Sequence, residues 1–239
     1  MTTNKAHEIR HRFAMQSPLT PARTQFYEAM RLCIMDGVFE AGDVVSEVDL
    51  AKHLGISRTP IREGLQRLEA EGWLSRGSGR GLIVRRVTEG DLSVLYQMRS
   101  VLEALALRIG VPVRPGYEDS IKRLGWLVHE MEMHTKHDNH EAVAEKNREF
   151  HQLLVSLCGS KVLINQLQLV YDQLDRVREN GGLWAKGRLE EALKEHVELY
   201  EAVRDGDKQK AARCVEQHIM RAGEAVLASL RSEQSSKHS

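Results

Sequence analysis

The chain has 239 residues, 41% of them hydrophobic and 28% charged, with 34 basic and 34 acidic side chains and therefore no net charge. No apolar run approaches the ~20 residues a membrane helix requires, and "MTTNKAHEIRHRF" lacks the apolar block of a secretory signal, so no membrane partner is expected and the cytoplasm is the expected location. Cys33, Cys158 and Cys214 are odd in number and widely separated, which points to reduced core thiols rather than a disulfide framework or a cysteine zinc knuckle.

Residues 1–21, ending in "QSPLTPA", carry two prolines and little periodic apolar pattern, and are expected to form a flexible arm. From Arg23 the pattern tightens. "TQFYEAMRLCIMDGVF" repeats apolar residues at helical spacing and should stop at Gly37. "EAGDVVSEVDLAKHLG" predicts a turn at Ala41 and Gly42, then a short helix capped by Ser46 and ended by Gly55. A third helix begins beside Ser57 and runs to about Glu71, with Ile61, Leu65 and Leu68 as its buried stripe. Ser57 can accept from the first free N–H groups, and Pro60 falls in the first turn, where its missing N–H removes no intrahelical bond. "GWLSRGSGRGLIVRRV" then reads as two strands, Trp73 to Arg76 and Leu82 to Arg86, joined by a glycine-rich tip.

Three helices followed by a hairpin make a winged helix-turn-helix, placed at residues 22–87. Beyond Thr88 the texture changes to long helical patterns near 89–109, 115–135, 141–158, 161–179, 186–205 and 208–231. The expected fold is thus mainly α, an N-terminal winged helix-turn-helix followed by an all-α bundle of six to seven helices over 88–232, with a disordered tail at 233–239. Zero net charge conceals a mild polarity: residues 1–86 carry +3 and the remainder −3.

A recognition helix keeps its N-terminal residues polar and free, because those reach the base edges while the rest packs on the domain. Arg58, Thr59 and Arg62 share that face, opposite Ile61 and Leu65. An arginine can grip guanine O6 and N7 with two hydrogen bonds, and Ser57 with the helix N-terminus suits a phosphate oxygen. The wing tip "GSGRG" places Arg80 and Gly81 where backbone can approach the duplex and a guanidinium can enter a narrow minor groove. Two arginines alone would be read as a solvated helix face. Here they come with a cap, a first-turn proline, a preceding helix-turn and a glycine-flanked basic wing in the order DNA contact requires.

The run "AGDVVSEVDLAKHLGISRTPIREGLQRLEAEGWLSRGSGRGLIV" resembles the N-terminal domain of the GntR superfamily of bacterial transcription regulators. The helical remainder, with "DLSVLYQMRSVLEALAL", "NREFH" and "KEHVELYEAVRDGD", is similar to the FCD effector domain of the FadR-type branch. One departure is Gly64, where the family more often has alanine. The resemblance implies a homodimeric regulator, a repressor in the commoner case, that binds double-stranded operator DNA and responds to a small organic acid.

Histidines form the second constellation. Asn147 and His151 lie four apart on one predicted helix, while His196 and His218 lie on two others whose apolar neighbours face inward. Three imidazoles on three inward faces suit a divalent ion such as Zn²⁺ or Ni²⁺; singly, each would be a hydrogen-bonded core histidine. In the metal-binding FCD proteins an acidic residue and three histidines hold the ion, and the matching positions are Asn147, His151, His196 and His218, with asparagine where aspartate is common. A small carboxylate suits both a metal with open positions and an arginine. The resemblance places Arg99 toward the cavity as an effector-binding residue, its alternative being an ion pair such as that with Glu103 four residues on. His129, His134, His137 and His140 straddle a helix end and a charged loop and read as solvated surface.

Three other readings remain open. The histidines could line a metal-free carboxylate or acyl-chain pocket. A helical metallohydrolase could use Glu149 or Glu195 as general base, although no HExxH run, nucleophile elbow or phosphate-binding glycine loop is present. A purely architectural DNA binder would need no cavity.

Overall fold

Ser46 and Gly55 bracket their helix as the sequence predicts. The Ser46 hydroxyl accepts from the Asp49 N–H at 3.2 Å, and Gly55 ends the helix with φ 69°, a left-handed conformation that costs glycine little. The computed structural model that shows this describes residues 2–77, 81–112, 116–178 and 188–236. Its elements in chain order are α1 (Thr3–Ala14), α2 (Ala22–Met35), β1 (Val44–Val45), α3 (Glu47–Leu54), α4 (Arg58–Ala70), β2 (Leu74–Arg76) and β3 (Leu82–Val84), then α5 (Glu89–Gly110), α6 (Glu118–Lys136), α7 (His140–Ser156), α8 (Lys161–Arg178), α9 (Arg188–Arg204) and α10 (Lys208–Ser236).

Two units divide the chain: Met1–Thr88 with Asp172–Gly181, and Glu89–Tyr171 with Gly182–Ser239. In the first, α2, α3 and α4 bury Phe26, Met30, Leu50, Ile61, Leu65 and Leu68 against Trp73, Leu74 and Val84 of the wing. The wing is a three-stranded antiparallel sheet of order β1-β3-β2, with Val44 opposite Ile83 and Leu74 opposite Val84. Two residues are too few for an alternating pattern, so β1 gave no strand signal.

The arm expected over residues 1–21 contains a helix. In α1, Ala6, Ile9 and Phe13 recur at helical spacing, Ala6 is buried, Ile9 is fully buried, and Ile9 and Phe13 pack on the winged-helix core. Lys5 pairs with Asp43, and Arg12 with Glu8 and Asp36. Three apolar residues in a short polar stretch are weak periodicity, and tertiary packing supplies the stability that local propensity lacks. The first unit also takes in the end of α8, which the expected boundary at residue 87 did not foresee: Arg31 Nη1 donates to Asp172 Oδ2 at 3.0 Å, and Gln173 Nε2 to the Glu71 carbonyl at 2.7 Å.

The second unit is the predicted bundle of six helices among the described residues, with α5 packed on α10 and α7, and α6 on α7 and α9. α10 continues to Ser236, past the point at which the tail was expected to begin. Cys33 and Cys158 are buried and Cys214 is half-buried.

Gly64 has a packing reason. A Cβ there would lie 3.0 Å from Phe26 Cε1 and closer still to Cδ1, so the ring of α2 occupies the space an alanine methyl needs. Helix propensity alone favours Gly64→Ala by about 1 kcal/mol. Overpacking against a fully buried ring outweighs it, and the variant is expected to lose about 1–3 kcal/mol of stability in urea denaturation.

Candidate functional site

α4 presents its N-terminus to solvent. Ser57, Arg58, Thr59 and Arg62 are exposed while Ile61 and Leu65 are buried. Ser57 occupies the N-cap position with extended backbone, but its side chain makes no cap hydrogen bond, unlike the expected arrangement. Arg62, Arg58 and Gly81 line a groove of about 530 Å³ together with Val44, Glu47 and Val48. Arg80 lies outside the described residues. Arg67, farther along, stacks on Tyr27 with its guanidinium carbon 3.6 Å from the ring centroid.

One residue of this face was not legible in the sequence. Glu47, at the start of α3, accepts from Arg58 Nε at 2.8 Å and from Arg62 through Nη2 at 2.9 Å and Nε at 3.1 Å. The hydrogen bond to Arg62 foremost, with that to Arg58, holds its carboxyl below the usual range against the opposing effect of burial. Separations of 11 and 15 residues leave no helical-spacing signal, and only the turn between α3 and α4 brings these groups together.

In the second unit, α7, α9 and α10 bring His151, His196 and His218 to one point, with one ring nitrogen from each within 4.8 Å of the others. All three are buried, and the Phe150 ring packs in a T-shape with His151 and His196, with centroids 5.7 and 5.1 Å away. Each Nδ1 has an acceptor: His151 donates to Glu103 Oε2 at 2.7 Å, His218 to Glu195 Oε2 at 2.8 Å, and His196 to the Ala192 carbonyl at 2.7 Å. Carboxylate and carbonyl oxygens only accept, so Nδ1 carries the proton and Nε2 the lone pair in each ring.

The three Nε2 atoms therefore turn lone pairs toward one another. His151 and His218 bring theirs to 3.2 Å, and buried His196 Nε2 finds no partner among the described residues. Burial pushes His151 and His218 down to about 4, against the pull of Glu103 and Glu195. Burial and then neighbouring His218 lower His196 further. Neutral imidazoles with inward lone pairs are the donor set a divalent ion needs, and these residues fit one.

Glu103 organises this end of the bundle. With no solvent exposure, it accepts from Arg99 Nε at 2.7 Å, from the Tyr171 hydroxyl at 2.8 Å and from His151. Burial would raise its carboxyl, but His151 and Arg99 hold it well below the usual range. Arg99 is thus in the intrahelical pair, its charge matched by Glu103, rather than offering an unmatched charge to a carboxylate. Asn147 is buried one turn before His151 and, with His196, Thr135 and Met131, lines a cavity of about 10 Å³, room for about one water. Glu195 also accepts from Arg188 and Arg221, and Glu149 from Arg123 and Lys146, so both carboxylates are held in ion pairs. Of the rival histidine cluster, His129, His137 and His140 are exposed and His134 is half-buried.

Residues 22–84 match the family of bacterial regulatory proteins, gntR family, and residues 94–221 match the FCD domain. The chain belongs to the GntR family. It is similar to the uncharacterized HTH-type transcriptional regulator YdhC of Bacillus subtilis, with 31% identity over 87% of this chain and 90% of that protein. It also resembles the Nta operon transcriptional regulator of Aminobacter aminovorans, at 27% identity over 81% and 89%. Among solved structures it shares the fold of McbR/YncC from Escherichia coli, with TM-score 0.67 and 20% identity over 89% of this chain and 100% of that one. The family and the relatives from Bacillus subtilis and Aminobacter aminovorans are transcriptional regulators, so this GntR protein is a bacterial transcriptional regulator and not an enzyme. No described helix is long and apolar enough to cross a membrane.

Replacing Glu103 by glutamine leaves the Arg99 charge buried without a counter-charge. Breaking a buried pair in this way is expected to cost about 3–5 kcal/mol, measured by chemical denaturation of Glu103→Gln against the parent chain.

Proposed function

We propose that this GntR regulator is a cytoplasmic homodimer that binds operator DNA, in the repressor sense, and responds to a small organic acid held in a metal-dependent site in its helical domain. Ser57, Arg58, Thr59, Arg62, Arg80 and Gly81 contact the operator: Arg58, Thr59 and Arg62 at base edges, Ser57 at a phosphate, and the wing residues at the minor groove. The exposed, basic and sharply started N-terminus of α4 supports this reading. Val94, Met98, Val101, Leu105 and Ile109 form an exposed apolar stripe along α5, which supports a self-association face such as a two-fold operator requires.

The observation that carries the metal reading is the unpartnered Nε2 of buried His196, facing two imidazoles whose protons are committed elsewhere. His151, His196 and His218 would hold Zn²⁺ or Ni²⁺, with the Asn147 amide oxygen as a weaker fourth donor. Once bound, the ion supplies fixed positive charge and open positions suited to a ligand carboxylate. The chain's own part is orientation. Glu103 and Glu195 fix the proton on Nδ1 and so aim Nε2 inward, a role usually worth 10–100-fold in metal affinity. Arg99 acts through Glu103 rather than as a free partner for the acid. Tyr171 of α8 donates to the same carboxylate. A coupling of ~1–3 kcal/mol between effector and operator binding would change operator affinity by several-fold to about a hundredfold.

A paired experiment tests both halves. Arg62→Ala is expected to lose ~1–3 kcal/mol of discrimination for a selected duplex, with an unchanged melting temperature. His196→Ala is expected to remove most bound metal by elemental analysis while DNA binding persists. A gel shift unchanged by the first, or a metal content unchanged by the second, contradicts the corresponding half.

A further inference from the structure

We infer that Glu47 is a positioning residue for DNA reading: its carboxylate holds Arg58 and Arg62 in a fixed fork, so that the sequence discrimination of α4 depends on an acidic side chain of α3. This inference rests on the reading that α4 faces DNA, and it adds a residue that contacts no base. The geometry is specific. Glu47 Oε1 receives Arg58 Nε at 2.8 Å and Arg62 Nη2 at 2.9 Å, while Oε2 receives Arg62 Nε at 3.1 Å.

A guanidinium has five N–H groups on two edges. Glu47 occupies the Nε/Nη2 edge of Arg62, leaving the Nη1/Nη2 end to form the two parallel hydrogen bonds that match guanine O6 and N7. The same carboxylate separates two cations, four residues apart on one helix, that would otherwise repel. Its own backbone is rigid: Glu47 follows the Ser46 cap, and α3 is anchored by buried Leu50, Ala51 and Leu54. All three charged side chains line the same groove with Val44, Val48 and Gly81. A negative charge on a surface that meets phosphates weakens indiscriminate binding. Glu47 therefore lowers affinity for random DNA and sharpens choice among sequences, two effects that a structural ion pair would not separate.

The test uses the full chain and duplexes that it selects from a random library. Affinities of the parent, Glu47→Gln and Glu47→Asp for a selected and a random duplex are measured by fluorescence anisotropy over a range of salt. For Glu47→Gln the selected-to-random ratio is expected to fall about tenfold, with random binding unchanged or tighter and the salt dependence no shallower. Glu47→Asp keeps the charge but is too short to reach both arginines, so random binding should match the parent while the ratio falls part of the way. A parental ratio in Glu47→Gln overturns the inference. So does an equal loss of both affinities with a lowered melting temperature, the outcome of a merely structural pair. A parent chain that enriches no duplex sinks the DNA reading itself and is recognised before any variant is measured.

Discussion

The helical domain depends on one carboxylate kept charged without solvent. Glu103 has no exposure, and several kcal/mol of desolvation are offset only because Arg99, His151 and Tyr171 all donate to it. The arrangement has consequences at both ends. Toward the centre of the bundle, it fixes the proton on Nδ1 of His151 and leaves the Nε2 lone pair pointing at His218 and His196. Away from it, it consumes the charge of Arg99 and ties Tyr171 of α8 to the same point. Glu195 repeats the device for His218, with Arg188 and Arg221 taking the place of Arg99.

A similar logic operates in the winged helix, under different dielectric conditions. Glu47 is near solvent, so its ion pairs with Arg58 and Arg62 contribute little to stability; their value lies in orientation. In both places an acidic residue fixes the orientation of neighbouring imidazole or guanidinium groups. The two cases differ in what a neutral replacement would do: at Glu103 it strands a buried cation, whereas at Glu47 it frees two exposed ones.

Much of the architecture was legible because it is written in local spacing. The apolar stripe Ile61, Leu65, Leu68, the Ser46 cap, Gly55 and the first-turn Pro60 define α3 and α4, and six long periodic stretches define the bundle to within a few residues. His151, His196 and His218 were recognisable because inward-facing imidazoles on three helices need a reason. What the sequence did not show was set by tertiary contact. α1 has few apolar side chains and is held by the core on which Ile9 and Phe13 pack; β1 is two residues long; Glu47 reaches arginines 11 and 15 positions away. Arg99 illustrates the same limit: its spacing from Glu103 allowed an ion pair or a free guanidinium, and the structure shows the pair through Nε.

Three buried imidazoles carry their protons on Nδ1 and turn bare Nε2 atoms toward one another, the arrangement proposed to receive a divalent cation. Long-range proton–nitrogen correlation spectra of the chelator-treated protein, recorded before and after one equivalent of Zn²⁺, test it directly. The Nδ1–H tautomer is expected at His151, His196 and His218, with a concerted shift of the three Nε2 resonances on adding the ion. An Nε2–H tautomer at any of the three, or Nε2 resonances unmoved by metal, would contradict it.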